Sequence, residues 1–126
     1  MTAPDPSPHV LVVDDQADAA DTLAELLALS GFAVRTVYSN AAALAAVASG
    51  FEPHAVVADL RSADGDGCDL AAELRRRLPR PPVLVAVSWM SGQAARCRAA
   101  GFDHYLLKPA DPRAVVELLR RETHRG

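Results

Sequence analysis

Five short β-branched runs, separated by Ala- and Leu-rich stretches of helical length, constrain this chain more than any other feature. The runs are Val10–Asp14, Ala33–Val37, Ala55–Asp59, Val83–Ser88 and His104–Leu107. Several are apolar without alternation, as strands covered by helices on both faces are. A strand followed by a helix long enough to carry the chain back over the sheet gives parallel pairing. Such crossovers are right-handed, so the pattern predicts an α/β fold with a doubly wound five-stranded parallel sheet in the order 2-1-3-4-5. A length of 126 residues accommodates one such domain.

The stretches between the runs carry helix punctuation. The first, Ala17 to Ser30, has Leu23, Leu26 and Leu27 at core spacing, acidic Asp18 and Asp21 near its positive end, and Gly31 beyond. The second starts after Ser39 or Asn40 as N-cap and stops at Gly50. The third runs from Cys68 to Leu78, with Pro79 beyond, and the fourth from Ser91 to Gly101. The fifth has Asp111 as N-cap and Pro112 at its first position. Arg75, Arg76 and Arg77 read as a solvated, dipole-favoured helix end, with a dedicated anion site as the alternative.

Charge and leader narrow the class. Thirteen basic against sixteen acidic residues give a net charge of −3 and a pI near 5.7, the wrong sign for direct nucleic-acid binding. The apolar run Val10 to Val13 is too short for a membrane span. Residues 1–8 are expected to be a disordered Pro-rich arm and not a signal peptide, residues 9–122 the domain, and residues 123–126 a tail. A cytoplasmic location follows as an expectation. Cys68 and Cys97 lack metal-site spacing and are expected to be small apolar fillers.

Ligands of open α/β sheets bind beyond the carboxyl ends of the strands. Those ends hold Asp14 and Asp15 after the first strand, Asp59 on the third, Ser88 on the fourth and Lys108 after the fifth. With the first and third strands as neighbours, three carboxylates converge. Two such charges about 5 Å apart repel by roughly 3 kcal/mol at an effective dielectric near 20, so the cluster calls for a cation. Oxygen-only ligands suit a hard divalent ion, Mg²⁺ in particular. A carboxylate beside a metal, a hydroxyl and an ammonium group suits an aspartyl phosphate, with Asp59 as nucleophile.

Val12-Val13-Asp14-Asp15, Asp59, Asp66-Gly67, Ser88 and Tyr105-Leu106-Leu107-Lys108-Pro109, in this order, resemble the receiver domains of bacterial two-component response regulators. The resemblance runs from Val10 to Leu119, and the segment Ala100 to Pro109 is similar to receivers of hybrid histidine kinases. It implies a flavodoxin-like (βα)5 fold. Asp59 is then the phosphoacceptor, with phosphohistidine on a histidine kinase or phosphotransfer protein as the donor. Asp15 binds Mg²⁺ directly, Asp14 through water, and Arg61 through its backbone carbonyl. Ser88 and Lys108 grip the phosphoryl oxygens, the Lys108–Pro109 peptide is cis, and Tyr105 moves with Ser88 as a switch. The output face is the fourth helix, fifth strand and fifth helix, through which a homodimer can also form. Such a domain is a self-phosphorylating switch with slow autodephosphorylation and no enzyme in the usual sense. With Gly126 soon after the fifth helix, signalling is expected through protein contacts.

Two departures from the family pattern stand out. Trp89 follows the hydroxyl residue where relatives usually carry Ala or Gly. It would shield the site, anchor a partner, or pack against the fourth helix with no kinetic role. Ser62-Ala63 replaces the usual Met-Pro, predicting a more mobile loop, while Asp64 and Asp66 add negative charge near the rim. Ser62, Asp64, Asp66, Gly67 and Glu73 also approach a calcium-loop template, but a strand precedes them where a helix is needed. Gln16 removes the Asp-x-Asp of phosphatases, no Gly-rich phosphate loop or nucleophile elbow is present, and His9, His54, His104 and His124 are scattered. The competing reading is a non-phosphorylated pseudo-receiver acting as a protein interaction module.

Overall fold

The structure, a computed structural model, describes residues 7–62 and 64–123. Most of the expected arm and tail, residues 1–6 and 124–126, and also Ala63, lie outside the described residues. In chain order the elements are β1 His9–Val13, α1 Ala17–Leu29, β2 Ala33–Val37, α2 Asn40–Ala48 and β3 Ala55–Asp59. A small pair, β4 Arg61–Ser62 and β5 Gly65–Asp66, precedes α3 Gly67–Arg77, β6 Val83–Ser88, α4 Ala94–Ala100, β7 His104–Leu107 and α5 Pro112–Thr123.

The main sheet has five parallel strands in the order β2-β1-β3-β6-β7. Setting aside the antiparallel β4-β5 hairpin, which no run in the sequence marks, this is the expected 2-1-3-4-5 order.

The apolar runs are explained by the two-residue period of a strand. Leu11, Val13, Val56, Ala58, Leu84 and Ala86 face one layer, where they meet Ala43, Leu70, Leu74 and Cys97 from α2, α3 and α4. Val10, Val12, Val57, Val85 and Val87 face the other, against Leu27 of α1 and Val115 and Leu119 of α5. Both sets are buried, so β1, β3 and β6 have no polar face to offer. Removing a single fully buried side chain such as Leu84, by Leu84→Ala, is expected to cost about 2–5 kcal/mol.

Helix starts follow their caps. Ser39 caps α2 by accepting from Ala42 N–H at 3.0 Å, and Asp111 caps α5 by accepting from Arg113 N–H at 2.9 Å. Asp66 caps α3, which starts at Gly67, one residue before the expected Cys68. α4 starts at Ala94 and not near Ser91. Gly92 takes φ +75°, and Gln93 ahead of the helix offers no side-chain cap, so nothing extends the helix backwards. Cys68 and Cys97 are free and buried in the same apolar cluster, and burial pushes the Cys68 thiol up to about 11. Among the described residues no helix is long and apolar enough to cross a membrane.

Candidate functional site

Strand register builds the site. Val13 pairs with Ala58, so the residues just beyond, Asp14 and Asp59, come side by side. Asp59 pairs with Val87 and Ser88 with Leu107, which puts Ser88 and then Lys108 successively further along the same rim. Asp14, Asp15 and Asp59 each offer a carboxylate oxygen within 4.8 Å of one another. Asp14 and Asp59 are buried and Asp15 is exposed.

Lys108 enters this cluster from the loop after β7. Its Nζ lies 2.8 Å from Asp59 Oδ2 and 3.3 Å from Asp14 Oδ2. Its backbone N–H donates to the Ser88 carbonyl at 2.7 Å, and the Lys108–Pro109 peptide is cis. Burial works to lower the Lys108 pKa, but the hydrogen bond and charge of Asp59, followed by Asp14, outweigh it and hold the ammonium above its ordinary value. Three carboxylates and one ammonium leave two negative charges uncompensated.

The donor set fits a hard divalent ion: only carboxylate oxygens converge, and the residual charge matches the charge of such an ion. The second oxygens of the two buried carboxylates are engaged by backbone. Asp14 Oδ1 accepts from Gln16 N–H at 2.9 Å, and Asp59 Oδ1 accepts from Arg61 N–H at 3.0 Å. The latter bond holds Arg61 beside Asp59.

Ser88, only 1% exposed, has its Oγ accepting from Met90 N–H at 3.0 Å. The Tyr105 hydroxyl donates to the Met90 carbonyl, so both residues grip Met90, Ser88 through its N–H and Tyr105 through its C=O. Trp89 between them is 63% exposed. Its ring centroid lies 5.9 Å from Lys108 Nζ, within cation–π range. The indole shares a cavity of about 400 Å³ with Asp14, Asp59, Lys108, Leu23 and Val115, between α1 and α5.

The loop after Asp59 differs from expectation. Asp64 and Asp66 turn their carboxylates to helix N-termini and do not add free charge to the rim. Asp64 accepts from Asn40 N–H and Ala41 N–H, both at 2.9 Å, at the start of α2. Asp66 accepts from Cys68 N–H at 2.7 Å and pairs with Arg96 Nη1 at 2.9 Å. Burial works to raise the Asp66 carboxyl, but the Cys68 N–H and the Arg96 guanidinium outweigh it and hold it below its ordinary value. These bonds tie Asp64 to the start of α2 and Asp66 to the start of α3 and to Arg96. They also remove the calcium-loop reading, since Glu73 in turn is engaged by Arg76 and Arg77 at 2.8 and 2.9 Å. An Asp immediately before a helix is a sequence signal for the Asp66 cap. No local signal exists for Asp64, which caps a helix 24 residues away.

Comparison with known proteins agrees with this geometry. A family model described as the response regulator receiver domain matches residues 10–120. The two-component response regulator ORR3 of Oryza sativa subsp. indica is 32% identical over 123 residues, covering 95% of this chain and 94% of its own. Other curated relatives are longer, the chain spanning 46% and 48% of two of them. A receiver domain (CheY-like) from Methylobacillus flagellatus superposes with a TM-score of 0.82 at 32% identity, covering 92% of this chain and 98% of that one. A response regulator protein from Burkholderia pseudomallei, solved with a phosphorylated aspartic acid, calcium ion and citrate, gives 0.78 at 25% identity over 94% and 74%. With strand order, acidic rim and nearly full-length similarity in agreement, the chain belongs to the receiver domain family of two-component response regulators.

Proposed function

We propose that this receiver accepts a phosphoryl group on Asp59 from a phosphohistidine of a histidine kinase or phosphotransfer protein, with Mg²⁺, in the cytoplasm. The observation that carries this reading is the convergence of Asp14, Asp15 and Asp59 around two uncompensated charges, with Lys108 2.8 Å from Asp59. An Asp59 carboxylate oxygen forms the new O–P bond while the P–N bond of the donor breaks, its electron pair returning to the imidazole, which takes up a proton. Lys108, already beside Asp59, balances the negative charge of the arriving phosphoryl oxygens, and the Ser88 hydroxyl donates to them. Mg²⁺ would be held by Asp15, Asp59 and the Arg61 carbonyl with Asp14 assisting, and would supply further charge neutralisation there. Hydrolysis of the acyl phosphate resets the domain slowly.

Met90 gives the switch a path. For Ser88 to turn toward a phosphoryl group it must release the Met90 N–H, and Met90 is also the acceptor for Tyr105. Tyr105 on β7 thereby reports the state of Asp59 to the face formed by α4, β7 and α5, where Leu107 is 49% exposed. That face carries the output contacts, including those of a homodimer.

Trp89 is the feature that favours the second reading. An indole beside Lys108, sharing the cavity that reaches Asp59, acts as a gate, and a complete gate would make the chain a pseudo-receiver. The test is incubation with acetyl phosphate and Mg²⁺, followed by intact mass. One phosphoryl adduct that is lost in Asp59→Asn supports the phosphoacceptor; no adduct with any donor, in wild type and in Trp89→Ala alike, overturns it. Faster labelling of Trp89→Ala by acetyl phosphate is the result expected of a gate.

A further inference from the structure

The loop carrying Arg61 is fastened to a helix that contributes nothing to the acidic rim. Leu60 N–H donates to Val87 O of β6 at 3.0 Å; within the loop Gly67 N–H donates to Leu60 O at 2.8 Å, while Arg61 pairs with Asp66 and Ser62 with Gly65. Outside it, both Asp64 oxygens accept from the first two N–H groups of α2, and Asn40 Nδ2 donates to the Asp66 carbonyl at 3.1 Å. We propose that Asp64 is a positioning residue for the cation site: with Asn40, it bolts the loop after Asp59 to the first turn of α2, so that the grip on a divalent cation depends on that joint. The proposal rests on the reading of the rim as a cation site.

Three observations support a fitted joint. Asn40 is buried, and its Oδ1 has no hydrogen-bond partner among the described residues. Stability alone favours an apolar side chain over an unsatisfied amide, so the Nδ2 contact to Asp66 gives this residue its purpose. A Cβ on Gly65 would approach Asn40 Nδ2 to 3.2 Å, and one on Gly67 would come within 2.9 Å of the Asp59 carbonyl oxygen. The loop thus presses on α2 at one end and on the backbone of Asp59 at the other. Finally, α2 already has a local cap in Ser39, so Asp64 is a second and distant tie.

Ser39 supplies the control. Ser39→Ala loosens α2 without touching the loop, whereas Asp64→Ala cuts helix from loop and Asp64→Asn keeps one acceptor oxygen. Mg²⁺ is titrated against the fluorescence of Trp89, the single tryptophan, and amide exchange is followed over residues 40–42 and 60–67 in metal-free protein. Asp64→Ala is expected to lose protection in both segments and to bind Mg²⁺ about fivefold more weakly, one helix-cap interaction expressed as a binding ratio. Asp64→Asn falls between, and Ser39→Ala loosens residues 40–42 with Mg²⁺ affinity unchanged. Unaltered loop protection and affinity in Asp64→Ala overturns the proposal, as does equal weakening by Ser39→Ala. A wild-type protein that takes up no Mg²⁺ removes the cation site itself and the proposal with it, whereas a wild type that binds it normally confines any failure to Asp64.

Discussion

The two ends of the sheet treat polar residues in opposite ways. At the carboxyl rim, Asp14, Asp15 and Asp59 face one another with Lys108 as the ammonium among them. At the amino foot, charged and aromatic groups engage each other. His9 N–H donates to His54 Nδ1 at 2.8 Å, the His9 ring stacks on Phe51 at 5.6 Å, and the Arg35 guanidinium sits 4.7 Å over the same ring. His104 Nε2 is 2.7 Å from Glu122 Oε1. Yet the foot holds the larger hollow, about 860 Å³ against about 400 Å³ beside the rim. What marks the functional end is uncompensated charge and not the size of a cavity.

The contrast is sharpest at Asp59. Asp59→Asn removes one of three converging carboxylate charges and is expected to weaken Mg²⁺ binding on the order of a hundredfold, while Phe51→Ala leaves it unchanged. Fluorescence titration of both variants checks this, and equal effects would erase the distinction between the ends. Phe51→Ala should act on stability instead. The ring is half-buried under His9 and Arg35, so its loss should cost about 2 kcal/mol in urea unfolding.

A rim substitution should do the reverse. Asp15 is exposed and repels its two acidic neighbours, so Asp15→Asn is expected to stabilise the metal-free protein by about 1 kcal/mol while reducing its stabilisation by Mg²⁺. Destabilisation in metal-free urea titrations would contradict the charge argument. The smallest effect is at Asp66, an acidic residue near the rim that is paired. Its carboxyl is held below its ordinary value, so its charge contributes stability above the unfolded value near 3.8 and loses it as pH falls through the folded one. The pair with Arg96 is largely exposed, so wild type should exceed Asp66→Asn by only about 0.5 kcal/mol at pH 7, the gap closing below pH 4. A gap that persists in acid would assign the effect to packing.

Much of this was legible in the sequence because it depended on period and order. Strands without alternation announce a sheet covered on both faces, and once β1 and β3 are neighbours, Asp14, Asp15 and Asp59 meet whatever the loops do. Lys108 joins them by the same logic, one residue past the end of β7. What was not legible depended on direction. The sequence places Asp64 and Asp66 near the rim but says nothing of where the carboxylates point, and both turn away to helix N-termini. Two-residue strands have no period to detect, so the β4-β5 hairpin left no trace. Ser91 resembles a helix cap, but Gly92 at positive φ separates it from α4.

The most direct test is to locate the phosphoryl group chemically. Wild-type protein is treated with acetyl phosphate and Mg²⁺, reduced with borohydride, which converts an aspartyl phosphate to homoserine, and mapped by peptide mass. The account predicts homoserine at position 59 and at no other aspartate. Modification of a different residue, or none in a protein that demonstrably binds Mg²⁺, would contradict it.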